Sequence, residues 1–408
     1  FVIFSIQEKQ LAKKVIQVGM LLLRIMSLAL KNSMAGIYIH IPFCKQACHY
    51  CDFHFSTSLK KKDEMILALA NEIKLRKSEF ENEIVETIYF GGGTPSILQT
   101  SDINFLIETV YDNYSIIENP EITLEANPDD LTEDRIIELL NTKINRLSIG
   151  IQSFFEDDLK LMNRAHNAEE AKKCLEIATQ YFGNISLDLI YGIPGMTNEI
   201  WKKNIEIALS FGINHISSYA LTVEPKTALH KLIQTGAIET PNDEVAQEHF
   251  SILVELLEAN DFIHYELSNF GKANYFSKNN SSYWLGKKYI GIGPSAHSYN
   301  GISRSWNVSN NSLYIKAIQE NQLPNEEETL TITDRYNEYI MTGLRTIWGV
   351  SLDKIETEFG VIYHDYLMKQ VQKFLNDDLV FIEDNVLKPT KKGKFLTDGI
   401  ASDLFMLN

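Results

Sequence analysis

The sequence predicts an α/β fold: a partial (β/α)6 barrel, then an α+β part, then a C-terminal winged-helix-like helical module. Three observations predict it. Short β-branched or apolar runs alternate with stretches of helical spacing from residue 37 to about 225. The starts of these runs lie 25 to 50 residues apart, the spacing of repeated βα units with parallel strands. Beyond about Pro225 the alternation stops and shorter, mixed patterns take over. The expected divisions are residues 34–235, 236–330 and 331–408.

The six strand candidates are 37–42, 87–91, 121–126, 146–152, 185–191 and 215–221. Between them, helical spacing covers 63–80, 101–114, 132–141, 168–181 and 198–210, with Ser101, Thr132 and Asn198 as polar cap candidates. In the second part, a helix over 243–260 leads to a run at 263–270, a Ser/Asn-rich segment at 277–282 and a Gly-containing run at 289–294. The last part offers helices over 333–347 and 351–376, a hairpin over 379–389 around Asp384-Asn385, and a closing helix near 391–404. Without a dense basic recognition helix, this module is expected to serve interaction or structure and not nucleic-acid binding.

Composition narrows the function classes. The 408 residues hold 38 Lys and Arg against 54 Asp and Glu, a net charge of −16 that argues against a general phosphate-binding surface. The most apolar stretch, 15–30, is short for a membrane span and interrupted by Arg24. No A-x-A-like cleavage site follows it, so residues 1–33 are expected to be an upstream extension, with Met34 as the start. Only four cysteines occur, which is not a secreted disulfide framework and points to a cytoplasmic protein.

Three of those cysteines, Cys44, Cys48 and Cys51, form a C-x3-C-x2-C spacing just after the first strand candidate. A compact loop can turn all three sulfurs to one centre. They suit zinc with His49 or His54 as the fourth ligand, or three irons of a four-iron cluster whose fourth iron stays open. The fourth, Cys174, sits in a helical run and reads as a small helix-face residue, and 391–394 reads as a solvated charge run. Polar residues and glycines gather where strand candidates end: Gly91-Gly92-Gly93-Thr94, Glu125, Gln152 and Asp188. In βα barrels those ends form the active face.

The cysteine spacing, with Tyr50 before the third cysteine, resembles the cluster loop of the radical S-adenosylmethionine (SAM) superfamily. The ordered motifs YIHIPFC (38–44), YFGGGTPS (89–96), LEANPDDL (124–131), RLSIGIQSF (146–154), LDLIYGIPG (187–195), YELSNF (265–270) and GIGPSAHS (291–298) are similar to its oxygen-independent coproporphyrinogen III oxidase-like family. The resemblance implies a [4Fe-4S] cluster on Cys44, Cys48 and Cys51. It implies S-adenosyl-L-methionine contacts from Tyr38, Tyr50, Gly92, Gly93, Thr94, Glu125, Gln152, Arg164 and Asp188.

That family has a porphyrinogen dehydrogenase branch and a heme chaperone branch. The dehydrogenases carry a further cysteine two residues after the third, where this chain has Phe53, and a longer segment before the first strand. The resemblance therefore implies a heme chaperone, with heme as cargo and heme-accepting proteins, respiratory and membrane-associated ones among them, as partners. The chaperones carry H-N-x-x-Y-W, and here the segment reads Asn279-Asn280-Ser281-Ser282-Tyr283-Trp284. His297 and His264 are the candidates to replace the missing histidine, although a lone histidine near a strand is more often a hydrogen-bonded core residue, and Tyr283-Trp284 suits a porphyrin face and ordinary core packing equally.

Overall fold

The computed structural model describes residues 33–407. The expectation for residues 1–33 lies outside them except at Ser33, which opens the first strand. Six parallel strands follow one another in space as in sequence: β1 (Ser33–Ile41), β2 (Glu83–Gly92), β3 (Ile116–Ala126), β4 (Arg146–Gln152), β5 (Ile185–Tyr191) and β6 (His215–Ala220). The connecting helices are α1 (Lys62–Leu75), α2 (Thr100–Asn113), α3 (Glu133–Leu139), α4 (Glu156–Leu161), α5 (Ala168–Tyr181) and α6 (Asn198–Ser210). Right-handed crossovers between adjacent strands put every helix on the same face of the sheet.

The period of two along each strand divides the chemistry. Ile37, Ile39 and Ile41 of β1, Ile88 and Phe90 of β2, and Leu147, Ile149 and Ile151 of β4 are buried in the apolar layer with Ile103, Leu106 and Leu175 from the helices. The alternate positions Tyr38, Tyr89, Glu125, Arg146, Ser148, Asp188 and Ser217 turn to the other face and line a common cavity. Both faces of β4 are therefore buried along its whole length. Cys174 is packed into the apolar layer on α5, as its helical position predicts.

The helix caps differ slightly from expectation. Thr132 does cap α3 through Arg135 N–H, but the cap of α6 is Thr197, and α2 begins after Gln99 in a capping box with Asp102. Ser101 and Asn198 are consequently the second and first helical residues.

Beyond β6 come α7 (Ala228–Gln234), α8 (Asp243–Glu258) and the antiparallel strands β7 (Ile263–Glu266) and β8 (Asn269–Gly271), with β8 paired to β6. The Ser/Asn-rich segment is a short helix, α9 (Lys278–Trp284). Its N-terminal N–H groups are satisfied by Ser277 and, from β3, by the Glu121 carboxylate, which accepts from Lys278 and Asn279 at 3.1 and 3.0 Å. Strand β9 (Lys288–Ile292) pairs parallel with β1, and β10 (His297–Tyr299), β11 (Ser303–Asn307) and β12 (Asn325–Thr329) continue the sheet antiparallel, with α10 (Asn311–Gln319) before β12. Among the described residues these strands make one twelve-stranded sheet.

The C-terminal part has its own buried apolar cluster, from Tyr336 to Leu404. Helix α11 (Ile332–Leu344) precedes β13 (Val350–Ser351), helices α12 (Val361–Gln370) and α13 (Gln372–Asn376), the hairpin β14 (Val380–Glu383) and β15 (Val386–Pro389), and α14 (Thr397–Asp403). Strand β13 pairs with β15, the order of a winged helix. Asp384 and Asn385 both have positive φ, the two-residue turn expected of that dipeptide. The single helix expected over 351–376 is broken at Gly360, whose φ of 98° ends one turn before α12 starts. Lys394 also departs from expectation: it turns inward, its ammonium 3.1 Å from His264 Nδ1.

Candidate functional site

The cysteine loop leaves the C-terminal end of β1 and is pinned at both ends. Cys44 N–H donates to Ser56 O at 3.1 Å and Ser56 N–H to Pro42 O at 3.0 Å, closing the loop on itself. The end of β2 lies directly against it, with Gly93 N–H on Ile41 O and Thr94 N–H on Phe43 O, at 2.9 and 2.7 Å. A Cβ on Gly93 would lie 2.5 Å from Phe43 O, so only glycine permits this approach. On the far side, His49 N–H donates to Met162 O, Lys45 pairs with Asp129 and Asp130, and Gln46 and Asn163 exchange hydrogen bonds with each other's backbone segments.

Cys44, Cys48 and Cys51 line one cavity of about 440 Å³ together with Tyr50, Gly92, Gly93, Thr94, Glu125, Gln152, Arg164 and Asp188. Every predicted contact except Tyr38 is thus brought together. Tyr38, half-buried, faces a second, inner cavity that shares Glu125, Ser148, Asp188 and Tyr219 with the first. Gln152 ends β4 with φ of 68°, which is uncommon for a residue with a side chain and marks the sharp exit of the strand at the cavity wall.

Arg164 organises one wall. Its guanidinium donates to Gly150 O at 2.8 Å, Asn127 Oδ1 at 2.7 Å, Tyr50 Oη at 3.3 Å and Cys48 Sγ at 3.3 Å. Burial raises the Cys44 thiol and pushes that of Cys51 up to about 11. Glu125 accepts from Tyr89 Oη at 2.7 Å and Gly92 N–H at 3.2 Å, while burial raises its pKa. Asp188 is pushed up to about 7, first by burial and then by the Glu125 charge, with Arg146 opposing.

The donor set fits an iron–sulfur cluster better than zinc. Among the described residues no three His, Cys, Asp or Glu side chains gather closely enough for a single ion. A four-iron cluster needs no such point, because each thiolate bonds a different iron. Neither His49 nor His54, the two candidates to complete a zinc site, lines the cysteine cavity. Two carboxyls opposite the cysteines suit a sulfonium cation and sugar hydroxyls.

Comparison with known proteins agrees with this geometry. The Radical SAM superfamily profile matches residues 38–208, and that of the HemN C-terminal domain matches 330–396. A Bacillus subtilis protein named heme chaperone HemW is 34% identical over 89% of this chain and 97% of its own length. Its Lactococcus lactis namesake is 32% identical over 89% and 97%. The chain belongs to the HemW family. A mitochondrial radical S-adenosyl methionine domain-containing protein 1 of Danio rerio is 29% identical over 91% of this chain and 87% of its own. The solved Escherichia coli coproporphyrinogen III oxidase, HemN, superposes with a TM-score of 0.80 over 92% of this chain and 91% of its own, at 22% identity, and so shares the fold.

Within the HemW fold, Asn279 is buried, accepting from Thr87 Oγ1 at 3.0 Å, and it lines the inner cavity. Neither candidate histidine lies there. His297 is exposed and tilted against Trp306, and His264 is stacked on Phe270 with ring centroids 4.2 Å apart, facing the C-terminal part. The histidine that does line the inner cavity, His215, has both nitrogens engaged, with Ser186 at 2.7 Å and Tyr265 at 2.8 Å. Tyr283 and Trp284 line a cleft of about 440 Å³ with Tyr289, Tyr299 and Tyr339, and Tyr283 also lines the inner cavity. Sequence reasoning missed Asn127, which ties Arg164 to Thr94, and the inward residues Arg146, Ser148 and His215. Counting back by twos from Gln152 would have reached Ser148 and Arg146.

Proposed function

We propose that the protein is a heme chaperone: it binds heme and passes it to acceptor proteins, from a radical SAM scaffold. The observation that carries this reading is the full-length relation to proteins named heme chaperones, extending over 97% of the Bacillus subtilis relative. Phe53 supports it. The side chain is 68% exposed at the rim of the cysteine cavity, where the dehydrogenase branch would have a further cysteine.

In this reading Cys44, Cys48 and Cys51 hold a [4Fe-4S] cluster whose open iron takes S-adenosyl-L-methionine. When reduced, such a cluster supplies the electron that cleaves a sulfonium. The chain's own residues position the cofactor. Gly92 and Gly93 let backbone approach it, Glu125 and Asp188 offset its cationic charge, Gln152 and Thr94 offer polar contacts, and Arg164 keeps Tyr50 and Cys48 in place. Tyr38 meets it from the inner-cavity side. Residues 34–235 form the scaffold, 236–330 the α+β extension and 331–408 the adaptor-like module. Acceptors at a respiratory membrane are the partners this reading names. Among the described residues no helix is long and apolar enough to cross a membrane.

The test is a hemin titration of anaerobically reconstituted protein, followed through the Soret band, beside an Asn279→His variant. Saturable one-to-one binding by the unmodified chain is expected, because the buried Asn279 is not positioned to be the ligand. No saturable binding, or conversion of coproporphyrinogen III propionates to vinyl groups by the reduced protein, would overturn the chaperone reading.

A further inference from the structure

The inner cavity contains a charge that the protein does not satisfy. Arg146, the first residue of β4, is 2% exposed, yet its guanidinium has no hydrogen-bond or ion-pair partner among the described residues, and its Nε is buried without an acceptor. A buried guanidinium carries five donors, and leaving them unmet costs several kcal/mol, on the order of one to three for each isolated group. The neighbouring polar groups are already engaged: His215 with Ser186 and Tyr265, Ser217 with Asn269 at 2.6 Å, Asn279 with Thr87, and Tyr89 with Glu125. Glu125 and Asp188 act on Arg146 only through space.

We propose that the inner cavity is a ligand site for a monocarboxylate, whose two oxygens accept from the planar fork of Arg146. A guanidinium matches a carboxylate bidentately, which a spherical anion does not reproduce. The cavity volume, about 220 Å³, admits a compact acid or a short acid arm and not a macrocycle, since drug-sized ligands need roughly 300 Å³ or more. A dianion is disfavoured because Glu125 and Asp188 share the cavity wall, where burial already opposes negative charge and raises both carboxyls. The inner cavity adjoins the cysteine cavity. Ser148, one inward position above Arg146 on β4, lines both, in the wall they share with Glu125, Asp188 and Tyr219. The carboxylate is therefore either a free small acid or the acid arm of a larger molecule seated among the cysteines. The inference does not require the heme reading.

The experiment follows the Arg146 Nε–Hε resonance of [15N]arginine-labelled full chain, assigned with an Arg146→Lys variant, during titration. Propionate, phosphate, protoporphyrin IX and protoporphyrin IX dimethyl ester are the ligands tested. A saturable shift with propionate supports a free-acid site. A shift with protoporphyrin IX and not with its diester, propionate being silent, supports an acid arm. Ser148→Leu should weaken either response at least tenfold while leaving the Arg146 resonance in place, and it covers the case in which Arg146→Lys does not fold. An unmoved resonance with every ligand means a cavity holding water alone and overturns the proposal. Equal shifts with phosphate and propionate overturn the assignment to a carboxylate.

Discussion

Replacing Gly93 by alanine tests how the cysteine loop is held. The added methyl would meet Phe43 O at 2.5 Å, Ile41 O at 2.7 Å and Phe43 N at 2.8 Å, all backbone atoms. Real Cβ atoms stay about 3 Å or more from such neighbours, so β2 and the loop must separate by about half an ångström. Overpacking of this kind costs about 1–3 kcal/mol. The same displacement stretches two backbone hydrogen bonds, Gly93 to Ile41 and Thr94 to Phe43, each contributing about 1 kcal/mol. The expected loss is about 3 kcal/mol, a fall in melting temperature of roughly 5 °C. Because Cys44 directly follows Phe43, the thiols should also lose register, and iron and acid-labile sulfide after anaerobic reconstitution should fall below half of the parent's. Gly183→Ala is the control, since a Cβ there meets nothing within 4 Å, and it should stay within about 0.5 kcal/mol of the parent. A Gly93→Ala protein with full iron and sulfide content and the parent's melting temperature would refute this account.

Three further outcomes follow from the same geometry. Alanine at Cys44, Cys48 or Cys51 should each abolish the visible absorbance of the reconstituted protein, whereas Cys174→Ala, deep in the apolar layer, should leave it intact. Asp188 holds its proton up to about pH 7 when folded, above its usual range, so its contribution to stability is present at low pH and is lost as pH rises toward 7. Asp188→Asn should therefore gain on the parent by about 2–3 kcal/mol between pH 5 and pH 8 in urea unfolding, and a constant difference would contradict the assignment. Glu72 is fully buried and accepts from Tyr314 Oη at 2.5 Å, Asn307 Nδ2 at 2.7 Å and Gly293 N–H at 2.7 Å, joining α1 to the residue after β9, to β11 and to α10. Glu72→Ala should cost about 3 kcal/mol or more because it strands those donors beside Arg76, and a cost under about 1 kcal/mol would show that the network does not hold the extension to the barrel.

The boundaries of β4, β5, α5 and α6 were legible to the residue because each is fixed by its own burial pattern. Helix α9 was not. Its sequence is mostly Lys, Asn and Ser, and what makes it helical is a carboxylate from β3, far away in sequence. The break at Gly360 was equally hidden, since helical spacing continues through a residue whose φ is positive.

The same distinction separates the two cavities. Three cysteines within eight residues announce themselves, and the strand-end rule then gathers Gly92, Gly93, Thr94, Glu125 and Gln152 around them. The inner cavity has no local signature, because Arg146, His215 and Asn279 meet only after two crossovers and a returning helix. Its chemistry is set by position along β4: Gln152 stands at the cysteine end, and Arg146 lies six residues back, about 20 Å at strand rise. A histidine at position 279 would line the inner cavity beside Tyr283, which also lines the cleft of Trp284. Because position 279 is 4% exposed, a heme ligand created by Asn279→His requires helix α9, which lines this cavity, to move, and the Arg146 resonance would report that movement directly.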